Sequence, residues 1–173
     1  MFVASYNKGI LKFQDSKTNL IIDIHESVLL KCSKYLQFEI FQPESGGILI
    51  GYHDRKNNVL NILDATIPDI FDVRKRKRII LKSKNHNEIV KSFVKEGYYY
   101  VGNWHTHPQS IPTPSVIDWE EWKKGLHLDK VPKGFQVFII FGNQEMKIWI
   151  GNEKSKEIYE IFEANKINGI YQR

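Results

Sequence analysis

Residues 103–118 read NWHTHPQSIPTPSVID. The strand repeat is two residues, so His105 and His107 point to one face, while Trp104 and Thr106 point to the other. This is the shortest sequence route to two imidazoles beside one metal ion. Trp104 is expected in the core. Pro108 stops the strand just after the second histidine, and Pro112 and Pro114 stiffen the loop that follows, each fixing its own φ and restricting its predecessor. Ser115 then opens a helix, and the Ser-x-x-Asp spacing to Asp118 is close to a capping box. Asp118 therefore falls in the first helical turn, near the strand end that carries the histidines. Two imidazoles and a carboxylate form a three-ligand set, the usual protein complement of a catalytic zinc site. The simpler alternatives are a packing histidine and an ordinary helix cap.

Working outward, the chain alternates strands and helices. Residues 10–14 and 20–24 read as strands around a polar turn, and 25–40 as a helix with Val28, Leu29, Cys32, Tyr35 and Leu36 on its apolar face. Residues 46–53 and 59–66 form a hairpin around DRKNN, 78–82 a strand, and 98–107 the histidine strand. Residues 86–96 predict an amphipathic helix with Ile89, Val90, Phe93 and Val94 inward, stopped by Gly97. Another helix spans 115–126, a late hairpin pairs 135–142 with 146–151, and 157–166 fits either strand or helix. The pattern predicts an α/β (α+β) fold, a mixed sheet between helices, in one domain covering residues 1–173.

Composition narrows the function classes. Cys32 is the only cysteine, which excludes an internal disulfide framework and a cysteine-rich zinc finger and fits a reducing cytoplasm. No apolar run reaches the ~18 residues of a membrane span, and the N-terminus does not read as a signal peptide. The net charge of +5 is concentrated in RKRKR at 74–78. That run can meet nucleic acid or an acidic protein, or simply be a solvated loop or edge strand. No wider basic–aromatic pattern supports nucleic-acid binding. His25, His53, His86 and His127 lack ligand spacing and read as surface or capping residues. Glu120 and Glu121 read as solvent-facing. Hydrolysis at a metal also needs a proton carrier, and Glu44, just before Gly46 and Gly47, is a candidate that a solvated turn glutamate would equally explain.

Two elements together, ESGGILIG at 44–51 and His-x-His-Pro-x6-Ser-x2-Asp at 105–118, resemble the JAB (JAMM, MPN-plus) metalloproteases. From His107 the serine is eight residues on and the aspartate eleven, as that motif requires. Family-like features run from about residue 25 to 151. The resemblance implies a curved mixed sheet flanked by helices and one Zn2+ per chain. It implies that His105, His107 and Asp118 ligate the metal, that Glu44 is the general acid/base, and that Ser115 supports the oxyanion. It also implies cleavage after the C-terminal tail of a ubiquitin-like protein.

The Trp before the first histidine, the Pro-Ser pair and Trp122 are similar to stand-alone bacterial JAB proteins encoded beside E1/E2-like enzymes. These include the deconjugating protease of CBASS anti-phage operons, which releases a cyclic-nucleotide synthase from its conjugate. Either that synthase tail or a ubiquitin-like tail is then the protein partner, bound as an added strand. Arg74, Arg76 and Arg78 are candidates for docking an acidic face of the released protein. Three alternatives compete. An iron site of two histidines and a carboxylate normally has a different ligand order. RadC-like proteins of DNA-associated contexts carry Ser-Gly where Gln109 and Ser110 stand here. Metal-free JAB-fold scaffolds have lost the ligands that this chain keeps.

Overall fold

The computed structural model describes residues 5–7, 9–128 and 134–161. Among them, nine strands make one mixed sheet and two more a small hairpin. In chain order they are β1 (Ser5–Asn7), β2 (Ile10–Gln14), β3 (Ile21–His25), β4 (Gly46–Asp54), β5 (Val59–Ala65), β6 (Val73–Lys75), β7 (Arg78–Ile80), β8 (Tyr99–Thr106), β9 (Phe135–Phe141), β10 (Met146–Asn152) and β11 (Ile158–Ile161). The helices are α1 (Glu26–Ser33), α2 (Asn85–Val94) and α3 (Val116–Leu128). The large sheet runs β1-β2-β3-β5-β4-β8-β9-β10-β11, parallel at β3/β5 and β8/β9 and antiparallel elsewhere. It takes in β1 and β2 ahead of residue 25 and β11 beyond 151. It curves strongly: Tyr159 on the far edge donates its hydroxyl hydrogen bond to Asp15 in the β2–β3 turn, and Lys17 lies over the Tyr159 ring. No helix among the described residues is long and apolar enough to cross a membrane.

The run FQVFIIF of β9 is apolar on both faces, as expected of a strand covered on both sides. Val137, Ile139 and Phe141 join the main core with α1 and Trp104. Phe138 and Ile140 face the other way, with Trp149 and Trp122 of α3. Trp122 stacks on Phe138, ring centres 4.6 Å apart. Truncating a buried aromatic of this size costs about 3–5 kcal/mol, so Trp122 is the anchor of α3. Asp118 lies one helical turn before it, on the same face.

Some sequence expectations are corrected. The first helix ends at Ser33, not near residue 40. Gln37 and Gln42 hold the next stretch as a loop: Gln37 Nε2 donates to the Gln42 and Arg76 carbonyls, and the Phe38 N–H donates to Gln42 Oε1. α2 packs through His86, Val90 and Phe93, spaced i, i+4, i+7, while Ile89 and Val94 are 40% and 56% exposed. The helix therefore presents a different stripe from the one expected. His127 lies within the last turn of α3 rather than beyond it. The basic run forms the hairpin β6–β7 with Arg76 and Lys77 at its turn. The tail is a strand to Ile161; its remainder, 162–166, lies outside the described residues.

Candidate active site

The end of β8 places the His105 and His107 rings on the α3 side of the sheet, and Trp104 is buried on the opposite side. Their Nε2 atoms are 3.0 Å apart. Asp118 Oδ1 is 3.3 Å from His105 Nε2, and Oδ2 is 3.4 Å from His107 Nε2. Two zinc bonds of about 2.0–2.1 Å at a tetrahedral angle set their ligand atoms about 3.3 Å apart. Each separation is close to that length, with Asp118 presenting one oxygen to each imidazole, so the donor types and their convergence suit zinc. The set is mostly buried, and one donor atom from each residue lies within 4.8 Å of the others.

Neighbouring groups aim these donors. His107 Nδ1 lies 3.2 Å from Gln109 Oε1, which turns the bare Nε2 inward if Nδ1 carries the proton. Gln109 is itself held, accepting the Thr113 N–H and donating to its hydroxyl. Ser115 and Asp118 form a reciprocal cap: Ser115 N–H donates to Asp118 Oδ2, and Asp118 N–H donates to Ser115 Oγ. The capping reading and the ligand reading of Asp118 are thus compatible, because the capped carboxylate still faces both imidazoles. Ser115 also lines the adjoining cleft.

Glu44 is buried beside this cluster, its Oε1 3.7 Å from His107 Nε2. It precedes β4, whose glycines permit tight contact: a Cβ on Gly47 would lie 2.1 Å from the Thr66 carbonyl oxygen. Burial pushes the Glu44 carboxyl up to about 7; nearby His107 opposes this and Asp118 reinforces it. Burial also lowers His105, against the hydrogen bond and charge of Asp118. At His107, burial is outweighed by Asp118 and Glu44, and the ring is raised. At Asp118, burial is outweighed by both imidazoles, and the carboxyl is held far below its ordinary range.

The loop carrying Glu44 is fastened from two sides. Ser45 N–H donates to the Thr106 hydroxyl, and Thr106 N–H donates to the Ser45 carbonyl. From β6, Arg74 donates to the Glu44 carbonyl and Ser45 Oγ, and the Lys75 carbonyl accepts the Glu44 N–H. The Arg74 guanidinium is thus turned towards the loop that carries Glu44. Arg76 and Arg78 are exposed, and Arg78 lines the cleft.

A second histidine cluster was not foreseen. His86 is buried, not a surface cap: Nδ1 is 2.7 Å from Thr66 Oγ1 and Nε2 2.8 Å from Asp72 Oδ2. The sequence carries no spacing signal for it, since its partners come from 20 and 14 residues away.

The family model for prokaryotic homologs of the JAB domain matches residues 26–157. The chain belongs to this family. Two relatives named CD-NTase/cGAS isopeptidase are similar over most of their length. The one from Vibrio cholerae serotype O1 is 29% identical, covering 88% of this chain and 93% of the relative. The one from Escherichia coli (strain TW11681) is 31% identical, covering 90% and 96%. The solution structure of a protein from Desulfitobacterium hafniense, 18% identical, overlays with a TM-score of 0.51 across 84% of this chain and 92% of that one, and shares the fold.

Proposed function

We propose that this JAB-family chain is a zinc-dependent isopeptidase that cleaves after the C-terminal tail of a CD-NTase-type cyclic-nucleotide synthase joined to another protein. It thereby reverses conjugation by E1/E2-like enzymes in bacterial anti-phage defence. The observation that carries this reading is the convergence of His105, His107 and Asp118 on one point beside buried Glu44. The names of the two relatives support the substrate class.

His105, His107 and Asp118 would hold the ion. Bound zinc supplies Lewis acidity and makes water a nucleophile near neutral pH. Glu44, raised to about 7, is suited to take the proton as water adds to the scissile carbonyl carbon. When the C–N bond breaks, Glu44 returns that proton to the departing amine, leaving a free tail carboxyl and a free amine. Ser115 would donate a hydrogen bond to the oxyanion between these steps, keeping its proton. Arg74 keeps Glu44 in place through the backbone. Arg76 and Arg78, exposed beside the cleft, are proposed to dock an acidic face of the released protein. Cleavage of a full-length conjugate unaltered at low salt by Arg76→Ser with Arg78→Ser would remove that role.

The test is cleavage of reporter proteins fused after CD-NTase tails, with ubiquitin-like tails alongside. Wild type is expected to release the reporter from the CD-NTase tail and Glu44→Ala is not. Release from ubiquitin-like tails alone would move the substrate class, and release by Glu44→Ala would remove the proposed base.

A further inference from the structure

Beyond the histidine cluster the cleft continues, about 420 Å³ in all, between the β7 end of the basic hairpin and α3. Its floor is β8 and β9, and it holds a line of polar side chains. Asn103 Nδ2 donates to the Tyr100 hydroxyl oxygen at 3.1 Å, and that hydroxyl donates to Gln136 Oε1 at 3.4 Å. The direction of this relay follows from donor counts. The tyrosine oxygen accepts from Asn103, so its one proton goes on to the Gln136 carbonyl. Gln136 Nε2 is left at the end of the line. It belongs to a fully buried residue and has no protein partner among the described residues. A buried N–H without an acceptor is costly, and such groups call for an explanation.

The backbone is bent to make this line. Strict alternation from His105 would put Asn103 and Val101 on the cleft face. Instead the β4–β8 register shifts at Leu49/Ile50, opposite Gly102 and Tyr100. Val101 turns into the core and Tyr100 lines the cleft. A β-bulge re-aims side chains in this way. Gly102 is needed there: its φ is +152°, and a Cβ would lie 1.8 Å from the Val137 carbonyl oxygen.

We propose that Gln136 Nε2 is a specificity-determining donor for the substrate chain. It takes the side-chain oxygen of an Asn, Gln, Asp or Glu in the segment held over β8 and β9. This rests on the peptide-cleaving reading above and extends it to a subsite. A side chain is the fitting acceptor because the donor lies at the floor. Alternate side chains of an extended segment point the same way, here down towards that floor. A site built to hydrogen-bond a polar group discriminates against the analogue that lacks it.

The experiment uses the full chain and CD-NTase-tail reporter fusions in which each tail residue in turn is alanine. Each fusion is cleaved by wild type and by Gln136→Met, which keeps the volume and removes the amide. The expected result is one tail position, occupied by Asn, Gln, Asp or Glu, whose alanine change lowers wild-type kcat/KM about tenfold or more. Gln136→Met loses a similar factor on the unaltered tail, and the two changes together lose no more than either alone. Tyr100→Phe, which releases the amide carbonyl, is the second variant and is expected to weaken the same position, so the test survives if Gln136→Met fails to fold. Losses spread evenly over all tails, or no loss in the variants, would overturn the inference while leaving the isopeptidase reading standing. A wild-type enzyme that cleaves no tail would overturn both.

Discussion

The protein buries two histidine–aspartate clusters that look alike in composition and differ in closure. In one, each ring nitrogen of His86 has a single partner: Thr66 Oγ1 on one side and Asp72 Oδ2 on the other. Thr66 Oγ1 also accepts the Ile48 N–H, so its own proton is available to His86 Nδ1. Asp72 accepts backbone N–H groups from Asp69, Lys82 and Ser83. Burial would raise this carboxyl, but those donors and His86 hold it below its ordinary value. In the other cluster two Nε2 atoms face each other at 3.0 Å with a carboxylate spanning both. Two nitrogens directed at each other and at one carboxylate converge on a point, which is what a cation requires and a closed polar network does not.

The difference separates bracing from chemistry. The closed cluster ties the 66–83 segment to the sheet, and the Thr66 carbonyl accepts the Trp104 indole N–H next door to His105. It therefore steadies the strand whose other face carries His105. Exchanging the roles of the two clusters by mutation should fail, and four changes sharpen that expectation.

The largest effect is expected at Glu44. Glu44→Gln removes the proton carrier without removing a ligand, so cleavage should fall about 10²–10⁴-fold while zinc content stays unchanged; metal analysis beside the reporter assay checks both. Next is Arg74→Ala, which frees the Glu44–Ser45 loop from its β6 clamp. Cleavage should fall about ten- to a hundredfold, the usual penalty for a misplaced catalytic group, again with zinc retained. His86→Ala belongs to the other class. It strips a partner from Asp72, whose side chain is fully buried, and should destabilise the fold by about 2–3 kcal/mol. Denaturant unfolding would show this, with zinc binding intact in the folded protein.

The smallest effect is a pH slope in the metal-free protein. The folded-state value of Glu44 is about 7, above its ordinary 4.5. Between those values the folded chain binds a proton that the unfolded chain has released, so stability falls as pH rises through this window. Thermal unfolding of chelator-treated protein should show that decline, and Glu44→Gln should flatten its part of it.

The open cluster was legible in the sequence because its logic is local. Period-two strand geometry, a proline-stiffened loop and a helix cap bring three candidate ligands together within 14 residues. The apolar run of β9 and the hairpins were legible for the same reason. The closed cluster was not, because His86 stands among polar neighbours on a short helix and its partners are fixed only by how the 66–83 segment folds back. The inward bonds of Arg74 were not legible, because a run of five basic residues looks uniform until tertiary structure turns one of them inward. The cleft face of Tyr100 was hidden by the bulge, for which Gly102 inside a strand is the single sequence hint. The length of α1 was overestimated because Tyr35 and Leu36 keep the helical spacing and pack on the core, although the helix has already ended.

The measurement that tests the difference between the clusters most directly is zinc per chain in three purified proteins: wild type, His107→Ala and His86→Ala. The account predicts about one zinc in wild type and in His86→Ala, and none in His107→Ala. Zinc-free wild type, or zinc lost with His86 and kept without His107, would contradict it.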